Sequence, residues 1–291
     1  MAPPTRMADA PVEAQDVTAQ LSNQALQQTF QQAGISLPTD ARQLAQLQQF
    51  AARRDQEGFM QALRALDISA ERASELWLSF LRTRGDSECH AASRAYAQGN
   101  RQQGQAWQSE ALNTVEARSA AGEAETRHDM QLRALTLMGE GLTQQQRDDM
   151  MKGAIGAGFS AGAIFAYQAM MNDQERQRRA PADISDELQL ANDNLALYIR
   201  DQATQRMQQL RSSQGAYEEQ VRLNGEASPQ IRQKRDEEAA RLARLLGSNP
   251  DAVIRVAGSS DADTTIASAW TTGLMNYHMH NLAGTVPVRI S

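Results

Sequence analysis

The sequence predicts a mainly α-helical protein, and three observations support this prediction. Only 5% of the 291 residues are aromatic although 41% are hydrophobic, so large core residues are scarce and alanine and glutamine are common. Alanine and glutamine are good helix formers that lose little side-chain entropy in a helix. Apolar residues also recur at spacings of three and four, and typical helix-capping residues stand where many of these runs begin or end.

The first part of the chain predicts an extended lead followed by a small helical bundle. We assign residues 1–15 to the lead and residues 16–85 to the bundle. Asp16 is expected to cap the first helix, and Gly34 is a natural stop for it. The second helix is expected to begin after Asp40.

Two further helices complete the predicted bundle. The third covers about residues 56–66, and the fourth is capped by Ser69 and ends at Gly85. Each has an apolar face at helical spacing, formed by Phe59, Leu63 and Leu66 in the third and by Leu76, Trp77, Phe80 and Leu81 in the fourth.

Residues 86–180 are predicted to form long helices with much polar surface. Large apolar residues become rare between Ser87 and Met138. Such helices are marginal alone and need a partner face. Thr143 is expected to start a new helix, and Pro181 breaks the pattern.

The third part, residues 181–246, is predicted to form long, coiled-coil-like helices. The longest pattern covers residues 184–221, and a charged helix follows at 231–246. The apolar residues of the longest pattern are spaced by three and four, as in packed or coiled helices, and are Leu188, Ala191, Leu195, Ile199, Ala203, Met207 and Leu210.

The last part, residues 247–291, is predicted to be a small mixed segment. Residues 252–256 and 285–290 have β-type composition, and residues 265–282 between them are expected to be helical. A two-stranded element of this kind is only marginally stable.

The most distinctive feature is an uncharged segment from Gly153 to Asn172. As one helix it would span ~30 Å, close to the thickness of the hydrocarbon core of a bilayer. Small residues recur every four positions and would form one ridge that lets two helices approach closely; they are Ala154, Gly158, Gly162 and Ala166.

Three interpretations of this segment remain open. It is a buried, tightly packed helix of a soluble assembly, a membrane-spanning helix, or a helix that is shielded first and inserted after delivery. Ser160, Gln168 and Asn172 and the lack of leucine count against a stable span. If it spans, the arginines at 176, 178 and 179 favour a cytoplasmic C-terminal side.

No residue pattern predicts an enzyme or a cofactor. Cys89 and His90 are adjacent, so on a helix their side chains point apart, and no third partner is evident. Residues 84–87 read Arg-Gly-Asp-Ser and match an integrin-binding tripeptide, but Gly85 and Asp86 are better explained as a helix stop and a helix cap.

A metal site within residues 247–291 is the other candidate. His278 and His280 would face the same side of a strand and could then hold a metal ion. The surrounding residues favour helix or loop, and a third ligand would have to come from elsewhere, such as Asp261 or Asp263. We therefore predict no metal.

Charge and cysteine content further restrict the kinds of protein that the sequence allows. The 29 basic and 35 acidic residues give a net charge of −6, which argues against a dedicated nucleic-acid-binding protein. The single cysteine excludes a disulfide within the chain. The first residues have no apolar run of the secretory type, so we expect a cytoplasmic protein or one exported by another route.

In its layout the chain resembles two families. One comprises the internal or ejection proteins of tailed phages, which are helical chains rich in Gln, Ala and Arg with Gly/Ala-rich apolar segments. The other comprises the minor translocators of type III secretion, with one mid-chain apolar segment among amphipathic helices. The first resemblance implies a virion protein that helps to form a conduit through the host envelope.

The resemblance to the translocators implies delivery into a host membrane instead, and a soluble secreted effector or scaffold that binds a host protein is the remaining alternative. All three are non-enzymatic. The expected partners are copies of this chain or other assembly proteins, with a membrane as a further candidate.

Overall fold

The structure is a computed structural model that describes residues 12–178 and 185–258, with side-chain environments for 17–178 and 190–258. The mainly α-helical prediction is confirmed, because the described ranges contain eleven helices and no strand. The chain divides into two compact units. One takes the residues up to 130 together with 137–142, and the other takes 131–136 and the residues from 143 on.

Six helices begin in the first unit. Residues 131–136 of α6 belong to the second unit, and residues 137–139 belong to the first unit again. The helices are α1 (Val12–Gln32), α2 (Ala41–Arg53), α3 (Gln56–Arg64), α4 (Ala70–Ala97), α5 (Arg101–Ala120) and α6 (Arg127–Gly139).

Several predicted helix ends of the first unit are confirmed by their capping bonds. The Asp40 carboxylate accepts hydrogen bonds from the backbone amides of Arg42 and Gln43, both at 2.9 Å. Ser69 Oγ accepts from the backbone amide of Arg72 at 3.2 Å. Gly34 follows α1 with φ of 69°, the left-handed conformation that ends helices.

Two boundaries were predicted wrongly. The first helix begins at Val12 and not after Asp16, so the predicted lead is shorter, and residues 1–11 of it lie outside the described residues. Gly85 does not end α4. It lies inside that helix where α5 passes closely, since a Cβ at Gly85 would stand 3.3 Å from Thr114 Cγ2.

The predicted apolar faces of α3 and α4 form the core of the first unit. Phe59, Trp77 and Phe80 are buried, and their ring centroids lie 4.8–5.8 Å apart. Aromatic pairs at this separation add stability beyond the area that they bury. Leu76 and Leu81 are also buried here, as their positions in the stripe predict.

The second unit contains α7 (Gln144–Ala157), α8 (Ala161–Arg178), α9 (Ser185–Asn224), α10 (Pro229–Leu246) and α11 (Pro250–Ala257). Thr143 caps α7 as predicted, in a reciprocal capping box with Gln146. The predicted stripe of α9 is buried at Leu195, Ile199, Ala203, Met207 and Leu210.

The predicted β character of residues 252–256 is wrong, because they lie in α11. The Asn249 side chain accepts from the backbone amide of Asp251 at 2.8 Å, and Pro250 begins the helix. Proline fits this first position well because the backbone N–H that it lacks would have no partner there. The predicted helix at 265–282 and strand at 285–290 lie outside the described residues.

Candidate functional site

The uncharged segment is not one helix. α7 ends at Ala157, and α8 begins at Ala161. Between them Gly158 has φ of 107°, and its amide donates to the carbonyls of Ala154 and Ile155 at 3.0 and 3.2 Å. The prediction of a single helix is therefore wrong, because glycine adopts the left-handed conformation at little cost and ends α7 there.

The predicted ridge of small residues is lost with that helix. Ala154 lies in α7 and is buried, whereas Gly158 is the turn itself. Gly162 and Ala166 belong to α8, where Gly162 is exposed and Ala166 is half-buried. The four residues consequently do not share one helix face.

The segment contributes large side chains to the core of the second unit. Ile155, Phe159, Ile164 and Tyr167 are almost completely buried. Burial raises the pKa of Tyr167 to about 12. No helix within the described ranges is both long enough and apolar enough to cross a membrane.

The break between α7 and α8 is supported by side chains from elsewhere in the unit. The Gln131 side chain accepts from the Ser160 amide at 2.9 Å, and Ser160 Oγ accepts from the Ala163 amide at 3.2 Å. Arg206 of α9 donates to the carbonyl of Ile155 at 2.8 Å, and its burial lowers the pKa of its guanidinium. The turn is thus fixed by specific partners on both sides.

The Arg-Gly-Asp tripeptide is not displayed at the surface, because Arg84 is completely buried inside α4. Its Nε donates to Glu88 Oε1 at 2.8 Å, and its Nη1 donates to the carbonyls of Ala51 and Ala52 at 2.7 and 3.1 Å. Burial lowers the pKa of Arg84, and the neighbouring Glu88 opposes this shift.

A second arginine extends this buried ion cluster, which we define as Arg54, Arg84, Glu88, Glu110 and Thr114. Arg54 Nη2 donates to Glu88 Oε1 at 2.9 Å and to Glu110 Oε2 at 2.7 Å. Arg54 Nε donates to Thr114 Oγ1 at 3.0 Å, and that hydroxyl donates to Glu88 Oε2 at 2.6 Å.

The cluster fastens α2, α4 and α5 together with two positive and two negative charges. The Glu88 side chain is completely buried and both of its oxygens accept hydrogen bonds within the cluster, so no substrate can reach it in this conformation. The arrangement is therefore structural. Sequence reasoning missed it because its members are up to 60 positions apart.

The remaining candidate sites give no catalytic pair. Cys89 is buried and His90 is exposed on the same helix, so the two side chains point to different environments. His278 and His280, with Asp261 and Asp263, lie outside the described residues. Within the described part of the chain no three His, Cys, Asp or Glu side chains are grouped to hold a metal ion.

Two leucines of α9 are exposed, and the exposed polar residues Asp193 and Asn194 lie between them on the same side of the helix. Leu190 is 62% exposed and Leu197 is 61% exposed. They are one heptad apart and so lie on one side of the helix. Ile199 of the buried stripe follows Leu190 by about two and a half turns at ~3.6 residues per turn, so the two leucines lie opposite that stripe.

Beside this face a cleft of about 250 Å³ opens between α7, α8 and α9. Its lining mixes apolar and polar groups and includes both a carboxylate and an ammonium. The lining residues are Asp148, Met151, Lys152, Gln168, Leu190, Ala191, Asn194, Leu195 and Tyr198. Nothing in the sequence pattern indicated this cleft, since its walls come from three separate helices.

No family model matches the chain, and no curated protein and no solved structure matches it significantly. Two surfaces stand out in the second unit, the exposed face of α9 at Leu190 and Leu197 and the cleft beside it.

Proposed function

We propose that this protein is a non-enzymatic helical component of a macromolecular assembly, and that it associates with copies of itself through the exposed face of α9. The observation that supports this proposal is the pair Leu190 and Leu197, each more than 60% exposed and one heptad apart. Single exposed apolar residues are common on soluble proteins, whereas apolar residues gathered on one face indicate an interaction surface.

The size of the face indicates what kind of association to expect. A stable interface buries ~800 Å² per partner, of which two leucines supply only a small part. Pairwise association through α9 is therefore weak. Weak contacts become strong when many are made at once, since each later contact is formed at a high effective concentration. A repeated assembly is the setting in which such a face is useful.

A double substitution tests the role of this face. Leu190→Gln with Leu197→Gln removes the apolar surface at two exposed positions and leaves the buried stripe of α9 intact. We expect the variant to associate more weakly than the wild type, by about tenfold or more in dissociation constant, as measured by sedimentation velocity.

Leu223→Gln is the matched control, because Leu223 is 63% exposed on the same helix. It lies ~39 Å further along α9 than Leu197 at ~1.5 Å per residue, and hence outside the surface that Leu190 and Leu197 form. Its association should equal that of the wild type. Equal association of all three proteins, or equal weakening by both substitutions, would contradict the proposed surface.

We further propose, from the layout of the chain, that the assembly is a phage virion and that the protein takes part in DNA ejection. The alternatives are a type III secretion translocator and a soluble effector or scaffold. The turn at Gly158 removes the single bilayer-length helix that the membrane-spanning interpretation of residues 153–172 required. A proteomic analysis of purified phage particles from the source strain decides between them: the chain in the particles supports the virion, and its absence from them contradicts it.

A further inference from the structure

The cleft between α7, α8 and α9 has the size of a site for a small molecule. Its volume is about 250 Å³. An apolar cavity of ~150 Å³ is enough to hold benzene, whereas drug-sized ligands occupy ~300–1,000 Å³. A ligand of this cleft is therefore small, of the size of a single amino acid.

Two opposite charges line the cleft from one helix. Asp148 and Lys152 are four residues apart in α7 and so lie on the same side of it. Gln144 donates to Asp148 Oδ1 at 2.9 Å, which leaves Oδ2 to accept from a ligand. Burial raises the pKa of Asp148, because its carboxylate has lost part of its hydration. A ligand cation would take the place of the missing water.

A buried amide lies on the other side of the cleft. Gln168 is almost completely buried and donates through Nε2 to Asn172 Oδ1 at 3.0 Å. The Asn172 amide in turn donates to Asn192 at 2.9 Å. One N–H of Gln168 is used in this chain of bonds, and its side-chain oxygen can accept a hydrogen bond from a ligand.

Apolar side chains also line the cleft, together with Asn194 and Tyr198. Met151 and Leu195 are buried, and Leu190 stands exposed at the mouth. An apolar group of a few carbon atoms that enters here leaves water and covers part of Leu190. Burial of such a group contributes ~0.8 kcal/mol for each CH₂ in general.

We propose that this cleft binds a free α-amino acid with an apolar side chain. The ligand ammonium meets Asp148 and the Gln168 oxygen, the ligand carboxylate meets Lys152, and the side chain packs on Met151 and Leu195. A zwitterion matches a lining that has one charge of each sign, and a ligand with a single charge leaves one of them unmatched. This site is additional to the proposed function, and Leu197 of the assembly face does not line it.

Calorimetric titration of the full chain with L-leucine tests the proposal. We expect saturable binding in the micromolar to millimolar range. 3-Methylbutylamine lacks the carboxylate, 4-methylpentanoate lacks the ammonium and glycine lacks the side chain, so each should bind at least about tenfold more weakly. No binding of L-leucine at millimolar concentration overturns the proposal, and so does equal binding of all four compounds.

Substitutions place the ligand in the cleft. Asp148→Asn keeps the shape of the side chain and should weaken L-leucine binding about tenfold or more, because the charge-assisted bond is lost. Asp149→Asn is the matched control, since the neighbouring carboxylate does not line the cleft, and it should bind as the wild type does. Ala191→Phe fills the cleft and should abolish binding.

Circular dichroism must show native helix content for each variant that is compared. If Asp148→Asn and Ala191→Phe fold and still bind L-leucine as the wild type does, the ligand binds elsewhere and the assignment is wrong. Self-association measured in the same samples keeps this test separate from the proposed assembly.

Discussion

At the scale of single residues, the buried ion cluster decides how three helices of the first unit meet. Arg84 and Glu88 are completely buried and hydrogen-bonded to each other. The attraction within such a pair offsets the loss of hydration only when the geometry is good, so its net contribution to stability is small. Removing Arg84 is different, because the completely buried Glu88 loses one of its two cationic partners and α2 loses the hydrogen bonds to its last carbonyls. We infer that the cluster selects one register of α2, α4 and α5.

The substitution Arg84→Met tests this inference. It leaves Glu88 buried next to Arg54 alone and removes the bonds to the α2 carbonyls. We expect a loss of roughly 3–5 kcal/mol in the free energy of unfolding, as measured by urea denaturation. Arg72→Met, which breaks the exposed pair with Glu75 in the same helix, should cost less than about 1 kcal/mol. Similar losses for both variants would contradict the special role of the cluster.

Tyr167 gives a second test at this scale. Its hydroxyl is buried without a hydrogen-bond partner, and burial raises its pKa from 10.0 to about 12. Tyr167→Phe removes an unsatisfied group and should leave stability unchanged or raise it by up to about 1 kcal/mol at neutral pH. A loss of more than that amount would mean that the hydroxyl has a partner.

The raised pKa of Tyr167 also predicts a pH dependence. The folded state holds this proton more tightly than the unfolded state does, so the stabilisation is complete below pH 10.0 and is lost as the pH rises towards about 12. Between these values the wild type should lose more stability than Tyr167→Phe. Denaturation at stepped alkaline pH measures the difference, and parallel curves for the two proteins would refute the shift.

At the scale of helices and turns, capping residues predicted the boundaries well and glycines did not. Asp40, Ser69 and Thr143 start helices as their side chains predict, because an N-cap bond is local. Gly85 was expected to end a helix and lies inside one, while Gly158 was expected inside a helix and ends one. Which role a glycine takes depends on contacts with distant residues, such as Thr114 for Gly85.

The wrong strand prediction and the missed candidate sites have different causes. The β-branched residues of 252–256 look like a strand, yet Asn249 and Pro250 start a helix there, and the local cap prevailed over the composition. The ion cluster and the cleft each combine residues from three helices. A single sequence contains no record of which helices become neighbours. The stripe of α9, which depends only on local spacing, is confirmed from Leu195 to Leu210, whereas Ala191 is only half-buried and the Leu188 side chain lies outside the described environments.

A pair of glycine substitutions tests the turn between α7 and α8. Gly158→Ala places a side chain at φ of 107° and should destabilise the protein by about 1 kcal/mol or more. Gly156→Ala, two residues earlier and exposed within α7, should stabilise it by up to about 1 kcal/mol. Thermal unfolding followed by circular dichroism gives both values. If Gly158→Ala were the more stable variant, the segment would be a continuous helix after all.

At the scale of the whole molecule, the ion cluster and the surfaces with a proposed function lie in different compact units. The first unit contains the ion cluster, which fixes the packing of its helices. The second unit contains the turn at Gly158, the cleft and the exposed leucines of α9. The surfaces to which we assign a function therefore all belong to the second unit.

The mass of the protein in solution tests the proposed assembly with copies of itself. The monomer has a mass of 32.0 kDa. Light scattering coupled to size-exclusion chromatography, repeated over a wide range of loading concentrations, should give a mass that rises above that of the monomer as concentration increases. A mass that stays at 32.0 kDa at every concentration would contradict the proposed assembly.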